Sequence, residues 1–307
     1  MTDPKDRHPL YRGPGQNRDD ARAPRPPRRD GPHNPREPQR AERSGPRPPR
    51  RDDAVVHDEA RPAKPKEFRI YGLNACLAAF KARPDDLRKL WLLSSRIPKL
   101  QELLAFCVKN RIGYNVVENE DLEKLTGSAH HEGICMAMLP QPELNLSQWL
   151  MTAPDGRCLL LWLDGVGNPH NLGAIMRSAA HFGVRAILLP KASSLSHSGA
   201  AARVAEGAAE HVPLIRLGRT DNAIAQLASA GFSLVSTVVR GGSDVFKADL
   251  PPRCVLVMGA EQTGVDSELL AASPLRVEVP GTGQVESLNV SAAAAVLLAE
   301  WCRQNAS

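Results

Sequence analysis

The sequence has no apolar run of the roughly 18–20 residues that a bilayer-spanning helix needs, so no membrane-spanning helix is expected. Its N-terminus lacks the hydrophobic core of a signal peptide, which predicts a chain that is not exported and works in the cytoplasm. Six cysteines (Cys76, Cys107, Cys135, Cys158, Cys254 and Cys302) are scattered without a CxxC pair. Such thiols in an unexported chain read as reduced, mostly buried small side chains. No GxGxxG follows a predicted strand, and the nearest approach, Gly165-Val166-Gly167, carries His170 at the third glycine's place, which disfavours a dinucleotide site. GxxxxGK[ST], GxSxG and HExxH are missing too. His130 and His131 are adjacent and lack metal-ligand spacing, so no metal is expected.

What is there is unevenly spread. A length of 307 residues suits two modest domains and an appendage. Hydrophobic content is 42%, yet mean hydropathy is −0.31. The polar residues collect at the front. Residues 1–66 hold 17 Lys/Arg and 11 Asp/Glu, whereas the remainder holds 22 and 23, so the net positive charge belongs to the leading segment. That segment also has 14 of the 26 prolines and repeats Arg25-Pro26-Pro27-Arg28-Arg29 as Arg47-Pro48-Pro49-Arg50-Arg51. Proline blocks helices, and an apolar-poor stretch cannot offset its ordering entropy, so residues 1–66 are predicted to be a disordered Arg/Pro-rich tail. Arginines beside prolines suit a sequence-tolerant RNA tether, and a solubilising tail fits as well. Interspersed acids such as Asp52 and Asp53 weaken the polycation reading.

From Phe68 the chain alternates strand and helix patterns. Strands are predicted at Phe68–Gly72, Leu90–Leu93, Asn115–Glu118 and Ile134–Leu139. Helical spacing covers Asn74–Lys81, Leu100–Lys109 (with Leu103, Leu104 and Val108 on one side) and Asp121–Leu125. Residues 67–141 therefore read as a small three-layer α/β domain. A polar linker is predicted over residues 142–157.

Residues 158–307 repeat the alternation with more apolar strands: Leu159–Leu163, Arg185–Leu189, Val212–Leu217, Ser233–Val239, Cys254–Met258 and Leu275–Pro280. Near-continuous apolar strands between helices indicate a buried, mostly parallel sheet, whose ligands sit beyond the carboxyl ends of the strands. Three strand-to-loop junctions stand out. The first runs from Leu163 through Gly165, Gly167 and Asn168 into a helix from about Asn171, with Asn171 placed to cap it and Gly173 to bring it close to the sheet. Arg177 is the only charge between Asp164 and Arg185. A guanidinium packed on a sheet needs a partner, which a phosphate could be, whereas a rim arginine would snorkel to water. The second junction, Val257–Gly264, sets glycines on either side of Glu261, which fits a tight ligand approach or an ordinary turn. The third, Pro280–Ser291, opens an alanine-rich helix, where backbone amides could bind an anion or Ser287 or Asn289 could cap.

Together these junctions resemble the three motifs of the SpoU (TrmH) family of RNA 2′-O-ribose methyltransferases. Asn168-Pro169-His170-Asn171-Leu172-Gly173-Ala174-Ile175-Met176-Arg177 looks like Asp-Pro-His-Asn-x-Gly-Ala-x-x-Arg. Gly259 to Gly264 looks like Gly-x-Glu-x-x-Gly, and Val279 to Ser291 looks like Ile-Pro-x-x-Gly followed by Ser-Leu-Asn-Val-Ser. Upstream, Gly72-Leu73-Asn74-Ala75 and His131-Glu132-Gly133-Ile134 are similar to the substrate-binding domain of the ribosomal L30e type that precedes many such enzymes. The resemblance covers roughly residues 68–304.

It implies a SPOUT α/β-knot fold, with a mostly parallel sheet and a deep trefoil knot, and a homodimer. It implies S-adenosyl-L-methionine as cofactor, held at Gly259, Val279 and Leu288 together with Thr237 and Gly264, and transfer RNA or ribosomal RNA as substrate. A ribose hydroxyl is a poor nucleophile, so alignment with the donor methyl and help for the departing proton are needed. By the resemblance Arg177 serves that need, and Asn171, Glu261, Ser287 and Asn289 orient it and the donor. Arginine is too basic to act readily as a neutral base, which favours positioning and electrostatic stabilisation. The chain departs from the pattern at Asn168, usually Asp, and at Gly281-Thr282-Gly283, usually Met-x-Gly. A non-catalytic RNA-binding or ribosome-assembly protein of the same fold, or an enzyme of the superfamily methylating a base, are the rival readings.

Overall fold

The computed structural model describes residues 67–142, 144–260 and 262–305. The tail expected over residues 1–66 lies outside the described residues, and so does Glu261 of the second junction.

The first block comprises β1 (Phe68–Tyr71), α1 (Leu73–Ala82), β2 (Leu87–Leu92), α2 (Gln101–Lys109), β3 (Gly113–Val116), α3 (Asn119–Thr126) and β4 (Ile134–Met138). Its sheet has the order β1-β4-β2-β3. β4 runs antiparallel to both neighbours, and β2 and β3 are parallel. The strand period of two sorts the side chains. Ile70, Leu90, Leu92, Met136 and Met138 face a core shared with α1 and α2, while Tyr71 and Cys135 face Leu122 of α3. Helices on both faces give the expected three layers.

Two local expectations need correction. The buried stripe of α2 is Leu103 and Cys107, with Leu104 half-buried, whereas Val108 is 66% exposed. Val108 lies about 140° around the helix from Leu103, too far to share its face. The third strand starts two residues earlier than expected and is exposed throughout, because β3 is an edge strand.

The expected linker carries a helix, α4 (Leu146–Leu150). Asn145 and Gln148 form a capping box at its start, and Leu146 and Trp149 are buried against the second block.

The second block comprises β5 (Cys158–Leu163), α5 (Pro169–His181), β6 (Ala186–Leu189), α6 (Gly199–Ala205), β7 (Leu214–Arg216), α7 (Thr220–Ser229), β8 (Ser233–Thr237), β9 (Ser243–Asp244), β10 (Arg253–Met258), α8 (Ser267–Ala272), β11 (Leu275–Glu278) and α9 (Val290–Gln304). The sheet order is β7-β6-β5-β10-β8-β11-β9, and every pairing is parallel. Alternate residues of the central strands feed two cores. Leu159, Leu161, Leu163, Leu256 and Met258 meet α5, α6 and α9, while Leu160, Trp162, Val255 and Val257 meet α4, α7 and α8. Burial on both faces is why these strands read as unbroken apolar runs.

All six cysteines are free thiols, five of them buried, and burial raises the Cys135 thiol to about 11. Among the described residues no helix is long and apolar enough to cross a membrane.

Candidate active site

The site is assembled where β5, β10, β8 and β11 end, at neighbouring positions in the sheet. At the first junction, Asn168 rather than Asn171 caps α5: its side chain accepts the His170 N–H at 2.9 Å. Pro169 takes the first helical position, for which its fixed φ is preorganised, so the helix starts two residues before the expected place. Asn171 is thereby freed for another bond. Its Oδ1 accepts a hydrogen bond from Nδ2 of Asn289 at 3.2 Å. Leu172, Ile175, Met176 and Ala179 form the buried stripe of α5, at the spacing of one helix face. Gly173 admits a helix, not the sheet: an added Cβ would lie 2.5 Å from the Ala201 carbonyl oxygen and 2.7 Å from Val204. Arg177 sits on the outward face, exposed, and makes no hydrogen bond or ion pair among the described residues. An exposed guanidinium is open to solvent, so there is no buried-charge cost at this position.

At the second junction the backbones of Ala260 and Gly264 exchange two hydrogen bonds, of 3.1 and 2.9 Å, closing a tight turn. Gly264 is left-handed there, with φ of 70°. A Cβ on Gly259 would lie 2.1 Å from the Gly264 carbonyl carbon and 2.3 Å from the Val265 nitrogen, so only glycine fits. This turn is laced to the first junction. The Asp164 N–H donates to the Met258 carbonyl at 2.8 Å, and the Asp266 N–H donates to the Asp164 carboxylate at 2.8 Å. Partial burial raises the Asp164 carboxyl above its ordinary value and the Asp266 charge adds to this, against the opposing amide bond. Sequence reasoning missed this linking role of Asp164.

At the third junction residues 281–289 are exposed and lead into α9. Asn289 caps the helix, accepting the Ser291 N–H at 2.9 Å and its hydroxyl at 2.6 Å. Of the two capping candidates Asn289 is therefore the cap, and Ser287 lies on the rim of a cavity instead.

That cavity, of about 260 Å³, is bordered by Thr237, Gly259, Gly264, Val279 and Leu288, all five residues expected to hold the donor, and by Ser287. Its apolar wall is Met258, Val277, Leu270 and Leu297, and Glu286 stands at its edge. Apolar side chains with exposed strand-end backbone suit a ligand with a flat aromatic part and a polar part. A second cavity of about 260 Å³ adjoins it, sharing Ala260, Thr263 and Val290 and lined by Asn168, Asn171 and Gln262. Arg177 borders neither, and the hydrogen bond of Asn171 runs to Asn289 rather than to Arg177. Among the described residues no cluster of three or more His, Cys, Asp or Glu could hold a metal ion.

Two family descriptions match the chain: SpoU rRNA Methylase family over residues 158–299, and RNA 2′-O ribose methyltransferase substrate binding over residues 69–143. The chain is 40% identical over 80% of its length to an uncharacterized tRNA/rRNA methyltransferase, YfiF, of Escherichia coli O157:H7, of which it covers 70%. It is 32% identical over 77% of its length to the 23S rRNA (guanosine-2′-O-)-methyltransferase RlmB of Pseudomonas putida, of which it covers 96%. Among solved structures, an RNA 2′-O ribose methyltransferase superposes with a TM-score of 0.66 at 26% identity, covering 78% of this chain and 88% of that one. The convergence of the three junctions, both family matches and these relatives agree: the chain belongs to the SpoU rRNA methylase family.

Proposed function

We propose that this chain transfers the methyl group of S-adenosyl-L-methionine to a ribose 2′-hydroxyl of ribosomal or transfer RNA. In this reading residues 158–307 are the methyltransferase domain, threaded as the family's trefoil knot, and residues 67–141 bind the RNA substrate. The protein works in the cytoplasm as a homodimer. The observation that carries the reading is the single cavity whose border holds Thr237, Gly259, Gly264, Val279 and Leu288.

The donor, when bound, supplies a methyl already activated by the sulfonium. Everything else falls to the chain. The apolar wall at Val277, Val279 and Leu297 takes the donor's adenine and excludes water from it. The Asn171–Asn289 amide pair fixes α5 against the mouth of the third loop, which holds donor and acceptor in one geometry. Arg177, exposed on that same helix, binds a phosphate of the RNA and stabilises charge developing on the ribose oxygen. By the family motif, Glu261 takes part in orienting Arg177 and the donor.

The test is nucleoside analysis after incubating the full chain with labelled S-adenosyl-L-methionine and unmodified 23S ribosomal RNA or transfer RNA transcripts. A labelled 2′-O-methylnucleoside is expected. Label in a base, or no donor binding by calorimetry on the folded protein, overturns the assignment.

A further inference from the structure

The motifs Gly72-Leu73-Asn74 and His130-His131-Glu132 of the first block are engaged by α6 of the second block. The Arg203 Nε donates to the His130 carbonyl at 2.7 Å, and its guanidinium pairs with Glu132 at 3.5 Å. Glu132, held at φ of 55°, also accepts the Leu73 N–H at 2.9 Å, so one carboxylate serves the start of α1 and the end of α6 together. The Asn74 Nδ2 donates to Glu206 at 2.6 Å.

A more buried connection lies one turn further on. Arg83 grips Glu210 with two donors, at 2.8 and 3.2 Å, and the side chains are only 13% and 6% exposed. Arg83 also donates to the Leu139 carbonyl at 2.6 Å, and Gln141 donates to Glu210 at 2.7 Å. A two-point, buried arginine–carboxylate contact fixes orientation as well as distance.

Backbone fit supports the polar contacts. A Cβ on Gly199 would lie 2.5 Å from the Tyr71 ring, and one on Gly207 would lie 2.7 Å from the Ala78 Cβ. Ala202 is buried in the first block's core, whereas Ala201 and Ala205 are buried in the second's. The same α6 packs on α5 at Gly173. One short helix therefore touches both the RNA-binding block and the helix that bears Arg177.

We propose that α6 and the turn after it hold the RNA-binding block at one fixed angle to α5, which makes Arg203 and Glu210 positioning residues that select the ribose delivered to the site. The inference rests on the proposed RNA methylation for its consequence, but its geometry can be tested without RNA. Paired variants Arg203→Met and Glu210→Gln remove the two charges and keep most of the packing volume, including the Arg203 stem that lies over Gly72. By scanning calorimetry the parent should unfold in one transition and the double variant in two, with unchanged affinity for S-adenosyl-L-methionine. On unmodified 23S ribosomal RNA transcript, the double variant should lose at least tenfold in kcat/KM through KM, and should spread methyl groups to neighbouring riboses. Arg203→Lys, which restores the charge, should recover most of the loss. Glu132→Gln, which keeps the acceptor for Leu73 and removes the charge facing Arg203, should give a smaller loss of the same kind. A double variant with one transition and the parent's KM overturns the proposal, as does a loss confined to kcat. A parent that transfers no methyl sinks the functional reading alone, and the count of transitions still decides the junction.

Discussion

The amide of Asn289 donates to the amide oxygen of Asn171 across 118 residues of chain, joining the cap of one helix to the first turn of another. Asn289 therefore has two separable duties. Asn289→Ala should cost about 1 kcal/mol through the lost cap of α9 and should also abolish most methyl transfer. Asn289→Ser keeps a capping oxygen but is too short to reach Asn171. It should show the parent's denaturation midpoint and a loss of kcat as large as the alanine variant's. Equal activity in serine variant and parent would leave Asn289 a cap only.

Arg177 is exposed and unpaired among the described residues, so truncating it removes no hydrogen bond or ion pair among them. Arg177→Ala should leave the melting temperature and donor affinity unchanged and eliminate methyl transfer. Arg177→Lys should recover little, since a point charge cannot reproduce the planar fork on a phosphate. Measured activity in the alanine variant near the parent's would remove Arg177 from the mechanism.

Gly259 tolerates no side chain because the turn it precedes folds back onto it. Gly259→Ala should displace Gly264 and weaken donor binding at least a hundredfold, about 2.7 kcal/mol. The structural contact is local, so circular dichroism should stay close to the parent's. Calorimetric titration of the donor reads the effect directly.

His197 lies beside the Arg83–Glu210 pair. Burial holds its imidazole below the ordinary 6.5, with Glu210 opposing and Arg83 reinforcing the shift. A lowered value in the fold means that the unfolded chain takes the proton more readily. The stability due to neutral His197 is present above 6.5 and drains away as pH falls through the lowered value. Denaturation midpoints between about pH 7.5 and 5 should therefore decline in the parent and decline less in His197→Gln.

Removing residues 1–66 takes away a net charge of +6. If those arginines meet RNA, the truncated chain should bind a ribosomal RNA transcript less tightly and with a shallower dependence on salt. An unchanged slope would assign the segment to solubility.

Much of this was legible because each signal had one physical cause. Runs such as Leu159–Leu163 are apolar throughout because both faces are covered, and that alone announces a parallel sheet. The five donor-site positions were reachable only through the family resemblance, since Thr237 and Val279 carry no chemistry of their own. Other features depend on partners distant in sequence. Nothing near Asn171 reveals that Asn289 will occupy it, and nothing near Gly173 says that α6 rather than the sheet approaches. Pro169 did hold the information that α5 starts early. Helix α4 was hidden by its five-residue length within a polar stretch.

The placement of β10 beside β5 has a consequence for how the protein is made. Cys158 finds its partner Arg253 about 95 residues further on. A growing chain thus first forms β5, β6 and β7 with one flank of β5 open, and that flank is lined by leucines and a tryptophan. Until the ribosome has delivered Met258, this half-sheet offers unpaired backbone to any other nascent copy. Synthesis that stalls between Ser229 and Arg253 should yield aggregates rather than a smaller folded product.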